Sequence, residues 1–315
     1  MIMTRLVLSC LLLALVIASC GSAGNATTST TIQDTTTSST QPASSTTPTT
    51  TTSTMPTSTT STTTEPVGPY QQTVFMLHDS GGNASRSGPF LAPVVRNTAT
   101  LEETSGELLL GLTSSEAELG ITTAIPSGTH LNGIEVEAGV ATVDLSSEFG
   151  DGGGTLSMRA RLAQLVFTVT GYDPAITGVR LQLEGSPVEV FSGEGLILDD
   201  PMIRQSFREL MPGILVESPA FEEWVPPPVV ISGIAAAFEG VFQLEILDAA
   251  GELVADVPYV QTTDAMDWGY FSVTFEAEDL PPMPADLSIR VYELWAKDGS
   301  VINERIQPFG YRMEP

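Results

Sequence analysis

Ile134-Glu135-Val136-Glu137-Ala138-Gly139-Val140-Ala141-Thr142-Val143-Asp144-Leu145 is the stretch that decides the fold of the first half of the chain. Apolar and polar residues alternate on both sides of Ala138-Gly139. Each arm therefore has one face to bury, and the pair reads as a hairpin around a short glycine turn. Downstream, Met158, Leu162, Leu165, Val166 and Val169 recur at helical spacing, with Arg159, Arg161 and Gln164 mostly off that stripe. Val179, Leu181 and Leu183 then alternate with Arg180, Gln182 and Glu184, and Gly185-Ser186 turns the chain back toward Val188 and Val190. Upstream, Thr73 to Leu77 reads as an opening strand, and Glu102 to Leu119 as a helical stretch carrying Leu108, Leu109 and Leu112. The expectation for residues 70–211 is an α+β domain, with helices packed on a mainly antiparallel sheet.

Beyond Met211-Pro212-Gly213 the pattern is strand upon strand. Phe242, Leu244 and Ile246 alternate with polar residues, as do Phe271, Val273 and Phe275, and Leu287, Ile289 and Val291. Asp248-Ala249-Ala250-Gly251, Pro281-Pro282 and Asp298-Gly299 supply the turns. Residues 212–315 therefore read as an all-β sandwich. Trp295, near the end of a strand, reads as a core residue rather than a ligand platform.

Three segments of the first domain carry a family resemblance: Ile125-Pro126-Ser127-Gly128-Thr129, the hairpin arm Gly139 to Phe149, and the helix end Gln164-Leu165-Val166-Phe167-Thr168-Val169-Thr170. Together they resemble the GerMN domain of bacterial sporulation and spore-germination lipoproteins. Ala138 stands where that pattern has an acid or Asn, Val169 where it has Leu, and Glu184 where it has Asp. Glu217-Ser218-Pro219, Val230-Ile231-Ser232-Gly233, Phe238-Glu239-Gly240 and Lys297-Asp298-Gly299 resemble the immunoglobulin-like domain that follows GerMN in spore-germination-type proteins. The resemblance implies a setting in sporulation, germination or envelope maintenance, and self-association of the ring-building kind.

The N-terminus has its own signature. Arg5 precedes an apolar run from Leu6 to Ala18, the pattern of a secretory signal and too short for a comfortable membrane span. The run ends in Ile17-Ala18-Ser19-Cys20-Gly21, which resembles a bacterial lipobox. The expectation is a signal peptide over residues 1–19, with palmitate-type acylation of Cys20 as the sole lipid-attachment site. Residues 20–69 are rich in Thr, Ser and Pro and read as a disordered tether of about 35–40 Å root-mean-square span. The expected location is the extracytoplasmic face of the cell membrane. The chain holds two cysteines, Cys10 and Cys20, so the mature protein would have neither a disulfide nor a zinc–thiolate site.

The formal charge is −26, and Lys297 is the one lysine. Phosphate neutralisation, and with it nucleic-acid binding, is excluded as a function class, as is adhesion to anionic lipid headgroups. Catalytic signatures are thin. His78-Asp79-Ser80-Gly81-Gly82 has a protease-like look but lacks the upstream His and Asp that a triad needs, and reads as a strand ending in a glycine turn. His130 reads as a surface turn residue. Gly150-Asp151-Gly152-Gly153-Gly154 reads as a connection rather than an anion cradle. Asp199-Asp200-Pro201 reads as a helix start with Asp200 as N-cap. Glu222-Glu223 and Glu278-Asp279 read as solvated faces. The leading expectation is a non-enzymatic interaction module without cofactor or metal, contacting the membrane through its lipid and envelope proteins or cell wall through its domains. The rivals are an envelope glycan hydrolase using paired carboxylates and a small-ligand binding lipoprotein, which predicts a deep apolar pocket between the domains.

Overall fold

A computed structural model describes residues 70–313, apart from residues 84, 85 and 194. The signal peptide, Cys20 and the tether expected from the sequence lie outside the described residues.

The first half opens with β1 (Tyr70–His78) and β2 (Phe90–Thr98), an antiparallel pair with Phe75 opposite Pro93. Two helices follow, α1 (Leu101–Leu110) and α2 (Ser114–Glu118), where the sequence suggested one stretch. The break has a physical cause. Gly111 adopts φ +87, a conformation that side chains resist, and Thr113 then starts a new helix with a capping box. The Glu116 carboxylate of that box accepts from the Thr113 amide at 2.8 Å. It also receives the Arg96 fork at 2.5 and 2.9 Å, which fixes α2 against β2.

The deciding stretch forms β3 (Leu131–Glu137) and β4 (Val140–Leu145). Ala138 and Gly139 at the turn have φ 49 and 79, which suits the twist of a two-residue hairpin. Ile134 faces Val143, and Val136 faces Ala141. The chain then crosses through α3 (Thr155–Tyr172), so that β5 (Gly178–Leu183) runs parallel to β4. β6 (Ser186–Pro187) completes the order β3-β4-β5-β6, and β7 (Val190–Phe191) pairs with β8 (Leu196–Ile197). Because α3 packs against β1, α1 and β5 together, it is buried on nearly every side. Arg161 and Gln164, off the sequence stripe, are 2% and 0% exposed. The helix start expected at Asp200 is also corrected. Met202 forms a bridge with Val179, with hydrogen bonds of 2.8 and 2.9 Å, so β5 captures this segment as extended chain, and the helical turn begins only at Arg204.

The second half contains β9 (Ile214–Ser218), β10 (Trp224–Val225), β11 (Val229–Ala235), β12 (Val241–Asp248), β13 (Leu253–Gln261), β14 (Gly269–Phe275), β15 (Ala285–Leu294) and β16 (Val301–Tyr311). They form two sheets, β10-β16-β15-β12-β13 and β14-β11-β9. Ile231, Phe242, Leu244, Ile246, Phe271, Ile289 and Val291 fill the core of this sandwich. The rings of Phe242 and Phe271 meet edge-on at 4.9 Å.

The two halves share a core. Leu215 and Phe221 belong to the buried cluster of the first half. The Phe221 amide donates to the Pro93 carbonyl at 2.9 Å, and the Gly213 amide to the Gly81 carbonyl at 3.1 Å. β10 straps this junction to the sandwich by pairing in parallel with β16, Trp224 beside Gly310. A Cβ at Gly310 would come within 2.1 Å of Trp224 ring atoms, and the Arg312 guanidinium lies 3.8 Å from that ring's centroid. Gly310→Val should therefore displace Trp224, break the strap and cost about 1–3 kcal/mol, as overpacking does. Urea unfolding checks this. A loss below about 0.5 kcal/mol would mean that Trp224 moves aside freely.

Candidate functional site

The structure gathers some residues singled out from the sequence and scatters others. His78 ends β1, with Nδ1 2.5 Å from the Ser80 hydroxyl and Nε2 3.1 Å from the Leu119 carbonyl. A backbone carbonyl thus stands where a catalytic triad needs a carboxylate. The ring packs 5.6 Å from Phe221. Burial, reinforced by the nearby Arg305 charge, holds the imidazole below its ordinary pKa. The glycine turn expected here is real, with Gly81 at φ 93, and its place is the seam between the two halves.

His130 is exposed, with Nδ1 3.2 Å from the Gly128 carbonyl. The loop 150–154 is organised around a side-chain cation. It turns carbonyls inward, and Arg161 donates to those of Phe149, Asp151 and Gly152 at 2.6, 2.9 and 3.2 Å. Asp200 makes an exposed ion pair with Arg180 at 2.5 Å. Glu278 and Asp279 are exposed, as read from the sequence. Glu223 departs from that reading. It is partly buried, its carboxylate accepts from the Ala220 amide at 2.6 Å, and burial raises its pKa. Among the described residues no group of three or more His, Cys, Asp or Glu side chains is placed to hold a metal. None of the described helices is long and apolar enough to cross a membrane.

A concave feature lies at one end of the sandwich, a groove of about 1150 Å³. Three loops build it, and each is held by its own hydrogen bonds. The turn after β15 closes through Trp295 N–H to the Ser300 carbonyl at 2.7 Å and Gly299 N–H to the Trp295 carbonyl at 2.8 Å. Asp264 Oδ1 accepts the amides of Met266 and Asp267 at 2.8 and 3.1 Å, and this turn presents Met266. The segment before β12 is held by the buried Glu293, whose carboxylate accepts from the Phe238 amide at 2.9 Å and from the Asn303 side-chain amide. These turns hold apolar side chains out into water. Phe238 is 70% exposed, Met266 94% and Trp295 51%. Trp295 is thus corrected from core residue to groove wall, because the tight turn that starts at it swings the indole off the sandwich. Apart from Asn83, the lining comes from the second half, so the groove is not the interdomain pocket that a small-ligand lipoprotein predicts.

Residues 73–189 match the Germane family, described as sporulation and spore germination, and residues 213–300 match Gmad2, the immunoglobulin-like domain of bacterial spore germination. The first GerMN domain of the sporulation protein GerM from Bacillus subtilis is similar at 16% identity and a TM-score of 0.35, over 43% of this chain and 98% of that one. The tandem GerMN domains of the same protein are similar at 13% identity and a TM-score of 0.36, over 67% of this chain and 62% of that one. No curated protein matches the chain.

Proposed function

Since this chain joins a Germane domain to a Gmad2 immunoglobulin-like domain, we propose that it is a non-enzymatic, lipid-anchored envelope module that binds partner proteins or cell wall on the extracytoplasmic face of the membrane. One observation supports this above the others. The two domains share a core, so they act as one body, and that body holds exposed aromatic and thioether side chains over an open groove. Apolar surface held rigidly in water is a feature of interaction sites. In this reading Cys20 carries the acyl chains, and the segment up to residue 69 sets the distance between the membrane and the folded body.

Two measurements test it. Cys20→Ala should leave an uncleaved precursor or release the protein from the membrane fraction, with loss of the acyl mass from the intact protein. Unchanged retention and unchanged mass would remove the anchor. Cross-linking of the full-length chain in intact cells should yield defined envelope proteins. Recovery of wall glycan alone would overturn the protein-binding part of the proposal.

A further inference from the structure

The groove at the end of the sandwich has a charge pattern as well as an apolar wall. Its charged lining is Glu239, Glu293 and Asp298 against the lone Lys297. Glu293 is buried at its edge, and its carboxylate meets only amide donors. Among the described residues no cation lies within ion-pair distance of it. A partly desolvated carboxylate without a counter-ion leaves a negative potential that focuses in a concave, low-dielectric site. Phe238, Met266 and Trp295 surround that potential with unpartnered apolar surface. An aromatic or aliphatic side chain alone would satisfy the wall, and an inorganic cation alone would satisfy the charge. A chain segment carrying both satisfies the whole groove.

We propose that this groove receives a basic, apolar peptide segment of a partner protein, with aliphatic or aromatic side chains against Trp295, Phe238 and Met266 and lysine or arginine directed to Glu239, Glu293 and Asp298. The proposal rests on the interaction-module reading and gives that module its partner chemistry. The thioether of Met266 suits a surface that adapts to the partner's side chains, and the acidic rim selects for charge and speeds encounter.

The test uses the purified mature chain and three probes: a fluorescein-labelled peptide of alternating leucine and lysine, its counterpart with glutamate in place of lysine, and chitotetraose. Fluorescence anisotropy should show saturable binding of the basic peptide and none of the acidic one. Trp295→Ala, an exposed position whose loss leaves the core intact, should weaken binding about tenfold or more. Asp298→Lys should weaken it several-fold, while Glu135→Lys on the exposed side of β3 leaves it unchanged. Equal affinity for both peptides overturns the assignment, as does full affinity in Trp295→Ala, or equal weakening by Glu135→Lys and Asp298→Lys. Chitotetraose binding that Trp295→Ala abolishes, without peptide binding, reassigns the groove to wall glycan. If the peptide fails while cross-linking in cells still recovers a protein partner, the groove assignment falls and the interaction-module reading stands.

Discussion

Gln164→Leu should destabilise the folded unit by about 3 kcal/mol, although leucine matches glutamine closely in size. Gln164 is fully buried in the middle of α3, and both ends of its amide are in use. Its oxygen accepts the Ala124 amide at 2.8 Å, and its nitrogen donates to the Phe75 carbonyl at 3.2 Å. One turn later Thr168 accepts the Phe75 amide at 2.9 Å. The edge of β1 that faces away from β2 is therefore closed at Phe75 by two α3 side chains in place of a neighbouring strand. Two residues on, Leu77 takes up ordinary backbone bonds with Thr122 at 2.9 and 2.7 Å. Leucine fills the space but strands the Ala124 N–H and the Phe75 C=O, at about 1–3 kcal/mol for each buried group left unsatisfied. For a body of this size that corresponds to a fall in melting temperature of about 6–12 °C. Urea unfolding and calorimetry check it. A loss under 1 kcal/mol would show that water reaches both groups.

The same residue marks how far the sequence alone reaches. β4 and the strands of the sandwich are legible because a sheet with one buried face leaves a period of two, and Ala138-Gly139 or Asp298-Gly299 punctuates it; β3 carries the same alternation in sequence although Val136 is 51% exposed. The α3 stripe is legible as a helix but misleads about burial. The middle of a helix enclosed by β1, α1 and β5, from Ala160 to Val169, has no solvent face, so its polar residues must serve inside. Gln164 and Thr168 bond to backbone tens of residues away, and nothing local records those partners. The seam is hidden for the same reason, since Gly81 meets Gly213 and Pro93 meets Phe221 across long separations. At the groove, the average burial of tryptophan pointed Trp295 inward. The contrary signal was the tight Lys297-Asp298-Gly299 turn beside it, which leaves the indole no depth of sheet to cover it. Glu293 falls in phase with Leu287, Ile289 and Val291 on the buried face of β15, and there it is the brace that holds the Phe238 loop in place.

Arg305→Met should leave the protein more stable, by about 1–4 kcal/mol. Arg305 is 1% exposed on β16, where it reaches the seam beside Gly81 and the Phe221 ring, 5.3 Å from its guanidinium. All three guanidinium nitrogens lack a hydrogen-bond partner among the described residues. Desolvation pushes its pKa down from the ordinary arginine value to about 10. The sign follows from that direction. The folded state holds this proton less tightly than the unfolded chain does, so the charge opposes folding at every pH below about 10 and ceases to do so only as pH rises from there toward the ordinary arginine pKa. At neutral pH the side chain stays charged, and only the ring face compensates for its lost hydration. Methionine keeps a long, flexible, unbranched shape against Phe221 and removes the charge. Exchange of a buried charge for a packed apolar side chain is often neutral or stabilising by this amount. Arg305→Ala is the informative contrast, because it removes the same charge but leaves a void and forfeits part of the gain. Thermal melts of the three proteins at pH 7 should place Met above wild type and Ala below Met. If Arg305→Met melts lower than wild type, the guanidinium must be satisfied within the seam, and ordered water held between Gly81 and β16 would then belong to the interface that joins the two domains.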